Sequence, residues 1–320
     1  MEKLTAFLKN SLTPFHAVKN AEGLLLENGF CKLSETEDWA VVEGGKYYIV
    51  RGGALIAFTV GSLSDLSYKI AATHTDSPAL KLKENPLQKS GLYATLNAET
   101  YGGGIWYSFF DRPLKIAGQV VRREDRTLRA ETVTAPFVVS IPSVAVHQNR
   151  GVNEGFSVNA QIDLAPLVSL AGGVENNEVL LTAIAGENVI SYEFYLVNAS
   201  EPYSFGVKGE FLASPRIDNL ASAYASLEAL LSETEQSGVC VAALMNNEEV
   251  GSLTSEGADG DFLENTLRRI AYALSFDDNE YYKALAGSFL LSVDNAHAVH
   301  PNHPEKADPT NQTALGGGVV

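Results

Sequence analysis

Cysteine is nearly absent: Cys31 and Cys240 are the only two in 320 residues. Two thiols so far apart define no disulfide framework, and a reducing compartment is the default. Basic residues are in the minority, 23 Lys and Arg against 39 Asp and Glu, for a net charge of −16. Phosphate backbones are bound by clustered cations, so this balance excludes nucleic acid as a partner. No apolar run approaches the length of a membrane span, and the opening MEKLTAFLKN lacks the apolar core of a signal peptide. The expected location is cytoplasmic, with no membrane partner, and the sequons at Asn198 and Asn311 then carry no meaning. Recognisable catalytic loops are missing as well. The glycine runs 102–104 and 316–318 have neither a trailing Lys-Ser/Thr nor a GxGxxG frame. Gly251-Ser252 is not part of a GxSxG elbow, and neither cysteine has a local catalytic signature.

What is present is a folded, soluble composition, 45% apolar and 19% charged, in a chain long enough for two domains. Thr13 as cap, Pro14 at the first helical position and Gly29 at the end predict a helix containing Phe15, Val18, Leu25 and Leu26. His16 lies within it and reads as structural. Strands are predicted near 46–50 and 54–60 around a Gly52-Gly53 turn, then at 69–73. From about 83 to 205 short alternating strands dominate, at 114–123, 127–133 and 179–186. This stretch reads as a β-rich domain inserted into an α/β one. Helical spacing resumes at 218–232, with Leu220, Tyr224, Leu227, Leu230 and Leu231 on one side.

Four polar clusters each follow an apolar, strand-like run: His74-Thr75-Asp76 after 69–73, Asp218-Asn219 after 211–217, Asn247-Glu248-Glu249 after 239–246, and Asp294 after 289–293. Ligands of open α/β sheets bind outside the carboxyl ends of the strands. One histidine and several carboxylates delivered to one rim predict a metal site made of distant segments. The carboxylate count exceeds what one zinc ion needs and favours two metals sharing a bridging acid. In HTD, His74 is the ligand and Asp76 the partner of its other ring nitrogen. Of Glu248 and Glu249, one can bind metal while the other acts as general base. Each cluster alone has an ordinary explanation: a satisfied histidine, a helix cap at Asp218, a solvated acid pair. The conjunction at matching positions is what favours a site. His297 and His300 flank the same rim, with His303 just beyond, and are read as contacting substrate or orienting ligands.

The segments TPFHAV (13–18), HTDSPALKLK (74–83), IPSVAVHQNR (141–150), SPRIDNLAS (214–222), MNNEEVGS (245–252) and SVDNAHAVHPN (292–302) closely resemble the M18 metallopeptidases, the aspartyl aminopeptidase family. They run in family order over nearly the whole chain. The resemblance implies a three-layer α/β catalytic domain with a central mixed sheet, at 1–82 and 206–320, carrying an inserted β-rich dimerisation domain at 83–205. It implies two zinc ions, with manganese or cobalt also suited to such ligands. His74, Asp218, Glu249 and Asp294 would bind metal, with Asp218 bridging. Glu248 would be the general base and Asp76 would stand behind His74. His147 would reach a partner subunit's active site, and His297 would lie near substrate. The implied substrates are peptides with acidic N-terminal residues, and the implied assembly is a homodimer or a larger oligomer such as a dodecamer. The family's last zinc-ligand histidine and a lysine linked to acidic substrates have no counterpart before Val320. Val319 and Val320 read as the start of a strand, so the chain is expected to be cut short. The competing expectation is therefore a non-catalytic M18-like fragment acting only in oligomerisation.

Overall fold

A computed structural model describes residues 1–63, 66–232 and 237–320. Two six-stranded sheets organise it. The first contains β1 (Cys31–Lys32), β2 (Lys46–Arg51), β3 (Ala54–Val60), β4 (Tyr68–His74), β13 (Val239–Met245) and β14 (Phe289–Ser292), in the order β1-β2-β3-β13-β4-β14. It is mixed. β2, β3 and β13 pair antiparallel in turn, whereas β4 runs parallel to both of its neighbours, β13 and β14. β3 is buried along its whole length, as expected of a strand covered on both faces.

Helices supply the cover. On one face lie α1 (Glu2–Asn10), α2 (Pro14–Glu27) and α5 (Ile217–Ser232), packing Leu8, Val18, Leu25, Leu220 and Leu227 against alternate strand residues such as Leu55 and Ala57. On the other, α6 (Phe262–Ala273) and α7 (Asp278–Ala286) bury Phe262, Ile270 and Tyr281 against Ile56, Phe58 and Tyr68. The result is a three-layer α/β unit. α1 precedes the helix read from the sequence. The Thr13 side chain does not cap α2; its Oγ1 bonds His16 Nδ1 at 2.8 Å.

The second sheet contains β5 (Ala79–Ser90), β6 (Tyr93–Tyr101), β7 (Leu114–Glu124), β8 (Thr127–Val139), β9 (Leu167–Leu170) and β10 (Val189–Asn198), all paired antiparallel in the order β8-β7-β10-β5-β6-β9. Its core includes α4 (Asn177–Ala185), beyond the short α3 (Ala160–Asp163). Residues 179–186, predicted as a strand, are therefore helical up to Ala185. Asn176 accepts a hydrogen bond from the Val179 N–H and caps the first turn, Leu180 and Ile184 share a buried face at helical spacing, and Gly186 (φ 82°) ends it.

A bridging core of Leu12, Phe15, Ala79, Tyr101, Ala117, Tyr195 and Val197 joins the two units. Contacts from α2 to β8 add to it: Lys19 Nζ donates to Thr132 at 3.1 Å, and His16 Nε2 meets Thr134 Oγ1 at 3.2 Å. A hairpin of β11 (Tyr203–Phe205) and β12 (Phe211–Ala213) returns the chain to α5.

Candidate metal centre

Register places three of the sequence clusters side by side. Met245 of β13 lies opposite His74 of β4, and Ser292 of β14 opposite Ala72. The three strands are parallel, so the residues that follow them leave on one edge. Thr75 N–H donates to Met245 C=O at 2.8 Å, and Val293 N–H to Ala72 C=O at 2.8 Å, which holds these exits in place. Asp218 arrives differently. The run 211–217 is not a strand of this sheet. β12 stops at Ala213, and Asp218 enters from the start of α5, where its backbone and that of Asn219 are non-helical and the peptide between them is cis. Asn219 Nδ2 donates to Val293 C=O at 2.9 Å, and Asn295 Nδ2 donates to Ile217 C=O and Asn219 Oδ1, both at 3.0 Å. These amides tie the helix start to the end of β14.

His74 is 4% exposed. Its Nε2 faces three carboxylates: Asp218 Oδ1 at 3.5 Å, Glu248 Oε2 at 3.7 Å and Asp294 Oδ2 at 3.8 Å. Donor atoms of His74, Asp218 and Asp294 all lie within 4.8 Å of one another. On the other side of the ring, Nδ1 meets the Asp76 backbone oxygen at 3.0 Å and Oδ1 at 3.3 Å. The side chain of Asp76 is fully buried. Its Oδ1 accepts the Glu248 N–H at 3.2 Å, and its Oδ2 accepts the Glu249 N–H at 3.1 Å and the Tyr101 O–H at 2.8 Å. One buried carboxylate thus orients both the imidazole and the Glu248–Glu249 turn.

The electrostatics follow from crowding. Burial disfavours charge on His74. The hydrogen bond and charge of Asp76, then the charges of Glu248 and Asp294, outweigh it and push the ring up to about 9. Burial, followed by the charges of Asp218 and Asp76, pushes Glu249 up to about 7. Burial and then Asp294 raise Asp218. Acids that repel one another around a single imidazole are a setting in which a multivalent cation lowers the energy. One imidazole with several carboxylates is a donor set that suits zinc.

A family pattern described as "Aminopeptidase I zinc metalloprotease (M18)" matches residues 7–320. The chain is 39% identical to "Probable M18 family aminopeptidase 2" of Clostridium acetobutylicum, over all of this chain and 77% of that one. The chain belongs to the M18 family. Its class is that of the metallo-aminopeptidases, which are hydrolases. It superimposes on a chain of "Cryo-EM structure of the Ape4 and Nbr1 complex" with a TM-score of 0.91 at 31% identity, covering 98% of itself and 66% of that chain. For the M18 aminopeptidase of Thermotoga maritima the TM-score is 0.84 at 26% identity, with coverage of 99% and 73%. The M18 chain thus spans about three quarters of the length of its Clostridium acetobutylicum relative.

The remaining histidines predicted from the sequence make other contacts. His147 occupies an exposed turn in which Gln148 and Asn149 N–H groups donate to Ala145 C=O. His297 lies beyond β14, its carbonyl accepting from Thr313 Oγ1. Among the described residues, no ion pair or ring hydrogen bond joins either histidine to the cluster. His300 and His303 pair with each other, ring centroids 5.3 Å apart. Two contributors went unread in the sequence. Tyr101 reaches Asp76 from the second sheet. The next residue, Gly102, lies so close to Glu249 that a Cβ there would sit 2.9 Å from its Cβ and from Oε2. The only sequence signal was a tyrosine before a glycine run, which carries no hint of a partner so far along the chain.

Proposed function

We propose that this chain is an aminopeptidase that uses two zinc ions and removes N-terminal acidic residues from peptides. The observation that supports it is the His74 ring, backed by Asp76 and facing Asp218, Glu248 and Asp294. His74, Asp218, Glu249 and Asp294 would hold the metals, with Asp218 bridging. Bound zinc supplies a Lewis acid for the scissile carbonyl and lowers the pKa of water. The chain's residues do the rest. Asp76 keeps the His74 ring aimed at the cluster. The Glu248 carboxylate takes the proton of the attacking water and passes it to the leaving amine. His297 contacts substrate from the segment after β14.

Residues 1–82 and 206–320 form the catalytic unit in this reading, and 83–205 an inserted dimerisation unit. The exposure of Trp106, Tyr107, Val144, Val146 and Phe156 supports an interface there. Of these, Tyr107, Val144 and Phe156 line a cavity of about 900 Å³ in the same unit as His147, which would approach a partner's centre. Homodimers would build larger assemblies, and the acidic chain works in the cytoplasm.

Glu248→Gln tests the mechanism: it retains metal and loses nearly all hydrolysis of aspartyl and glutamyl substrates. Hydrolysis at the unsubstituted rate would remove Glu248 from its role. A second reading, an oligomerisation module without hydrolysis, is favoured by one observation: the donor group contains a single imidazole. Metal stoichiometry separates the two, since close to two zincs per chain fits the enzyme and not the module.

A further inference from the structure

We propose that Tyr101 is a positioning residue of the metal centre: its hydroxyl, oriented by Asn247 and Thr254, holds Asp76 and, through Asp76, both the His74 ring and the Glu248–Glu249 turn. The proposal rests on the metal-binding reading above and adds a residue from the other structural unit to it.

Hydrogen-bond direction carries the argument. Thr254 Oγ1 donates to Asn247 Oδ1 at 2.8 Å, which leaves the Asn247 amide nitrogen to point the other way. That nitrogen can only donate, and it does so to the Tyr101 oxygen at 3.0 Å. The tyrosine proton is then committed to Asp76 Oδ2, at 2.8 Å. Asn247 is held in turn, its backbone left-handed (φ 59°) and its N–H donating to Asn246 Oδ1 at 2.8 Å. A one-way chain of donors thus ends on a carboxylate with no exposure to solvent.

Asp76 has little other freedom. Oδ1 serves His74 and the Glu248 N–H, and Oδ2 serves the Glu249 N–H and Tyr101. Removing the tyrosine hydroxyl leaves Oδ2 with one donor and lets the carboxylate rotate. Rotation shifts the partner of the His74 ring and the two backbone groups that aim Glu248 and Glu249. The outer partners of metal-binding histidines commonly matter about tenfold or more in metal affinity. The ring itself is fixed independently, edge-on to Tyr195 at 5.1 Å in the bridging core, so Tyr101→Phe removes the hydroxyl and keeps the packing.

The experiment uses the 320-residue chain with zinc alone, and cobalt(II) as a spectroscopic probe. Zinc affinity is measured by competition with a chromophoric chelator for the unsubstituted chain, Tyr101→Phe, Asp76→Asn and the double variant, with thermal unfolding as a check of fold. Tyr195→Phe, which loses a neighbouring hydroxyl bonded to Glu193, is the control. The expected result is about tenfold or more weaker zinc binding in Tyr101→Phe, an altered cobalt visible band, and no change in Tyr195→Phe. In the Asp76→Asn background the hydroxyl should have no further effect, because Tyr101 acts through Asp76. Unchanged affinity in Tyr101→Phe, or losses that simply add in the double variant, would overturn the proposal. If Tyr101→Phe fails to fold, Asn247→Gly keeps the left-handed backbone and removes the amide that orients the hydroxyl. It should weaken zinc binding in the same direction, and unchanged binding would overturn the proposal equally. Failure of the unsubstituted chain to bind zinc is a separate outcome. It overturns the metal reading itself and the positioning role with it.

Discussion

Gly102 is left-handed (φ 72°), and a side chain there would press on Glu249. Gly102→Ala should therefore cost about 1 kcal/mol or more in stability and also weaken metal binding, by displacing a carboxylate of the cluster. Denaturant unfolding and chelator competition check the two effects separately. His74 makes a pH prediction. Without a cation the ring holds its proton up to about 9, and Glu249 holds one up to about 7. Metal requires the deprotonated donors, so binding at neutral pH releases protons, and affinity rises with pH until about 9 and levels off above it. Calorimetry in buffers of different ionisation enthalpy reads the proton count, and affinity that is flat between pH 6 and 9 would contradict the assignment. At this scale the sequence was informative where chemistry is local. An acid or imidazole closing an apolar run marks a strand end, and His74, Glu248 and Asp294 were legible in that way. Tyr101 was not, because its meaning lies in a bond to Asp76 that only the packing of one unit on the other creates.

Among elements, α4 shows how a local pattern misleads. VLLTAIAG alternates well enough to resemble a strand, but the decision lies three residues before the window, in the cap at Asn176. Asn176→Ala should cost about 1 kcal/mol, measured as a lower unfolding midpoint with the first sheet's spectroscopic signature retained. The start of α5 shows the converse. Apolar spacing predicted its body well, since Leu220, Leu227 and Leu230 are buried together. Its approach could not be inferred, because Asp218 is placed by side-chain amides from Asn219 and Asn295 rather than by a strand of the sheet.

At the scale of the molecule, the mixed sheet between helices and the β-rich second unit were both visible as a change of texture along the chain. The boundary was less so. β5 begins at Ala79, only a few residues after β4 ends at His74, so the second sheet starts almost where the first sheet's strand stops. The apolar surface around Val144 and Trp106 should govern assembly. Val144→Glu is expected to shift the sedimentation profile toward smaller species without lowering the unfolding midpoint, and an unchanged profile would place the interface elsewhere. The strand order also dictates a history for each molecule. β3 and β4 are made within moments of each other, yet β13 lies between them, and the ribosome reaches it only after the entire second sheet. The nascent first sheet must wait with a slot open between two unsatisfied strand edges until residue 245 emerges. The slot is filled by the strand that leads directly into Glu248 and Glu249, so closing it also delivers those two acids to the edge where His74 ends β4.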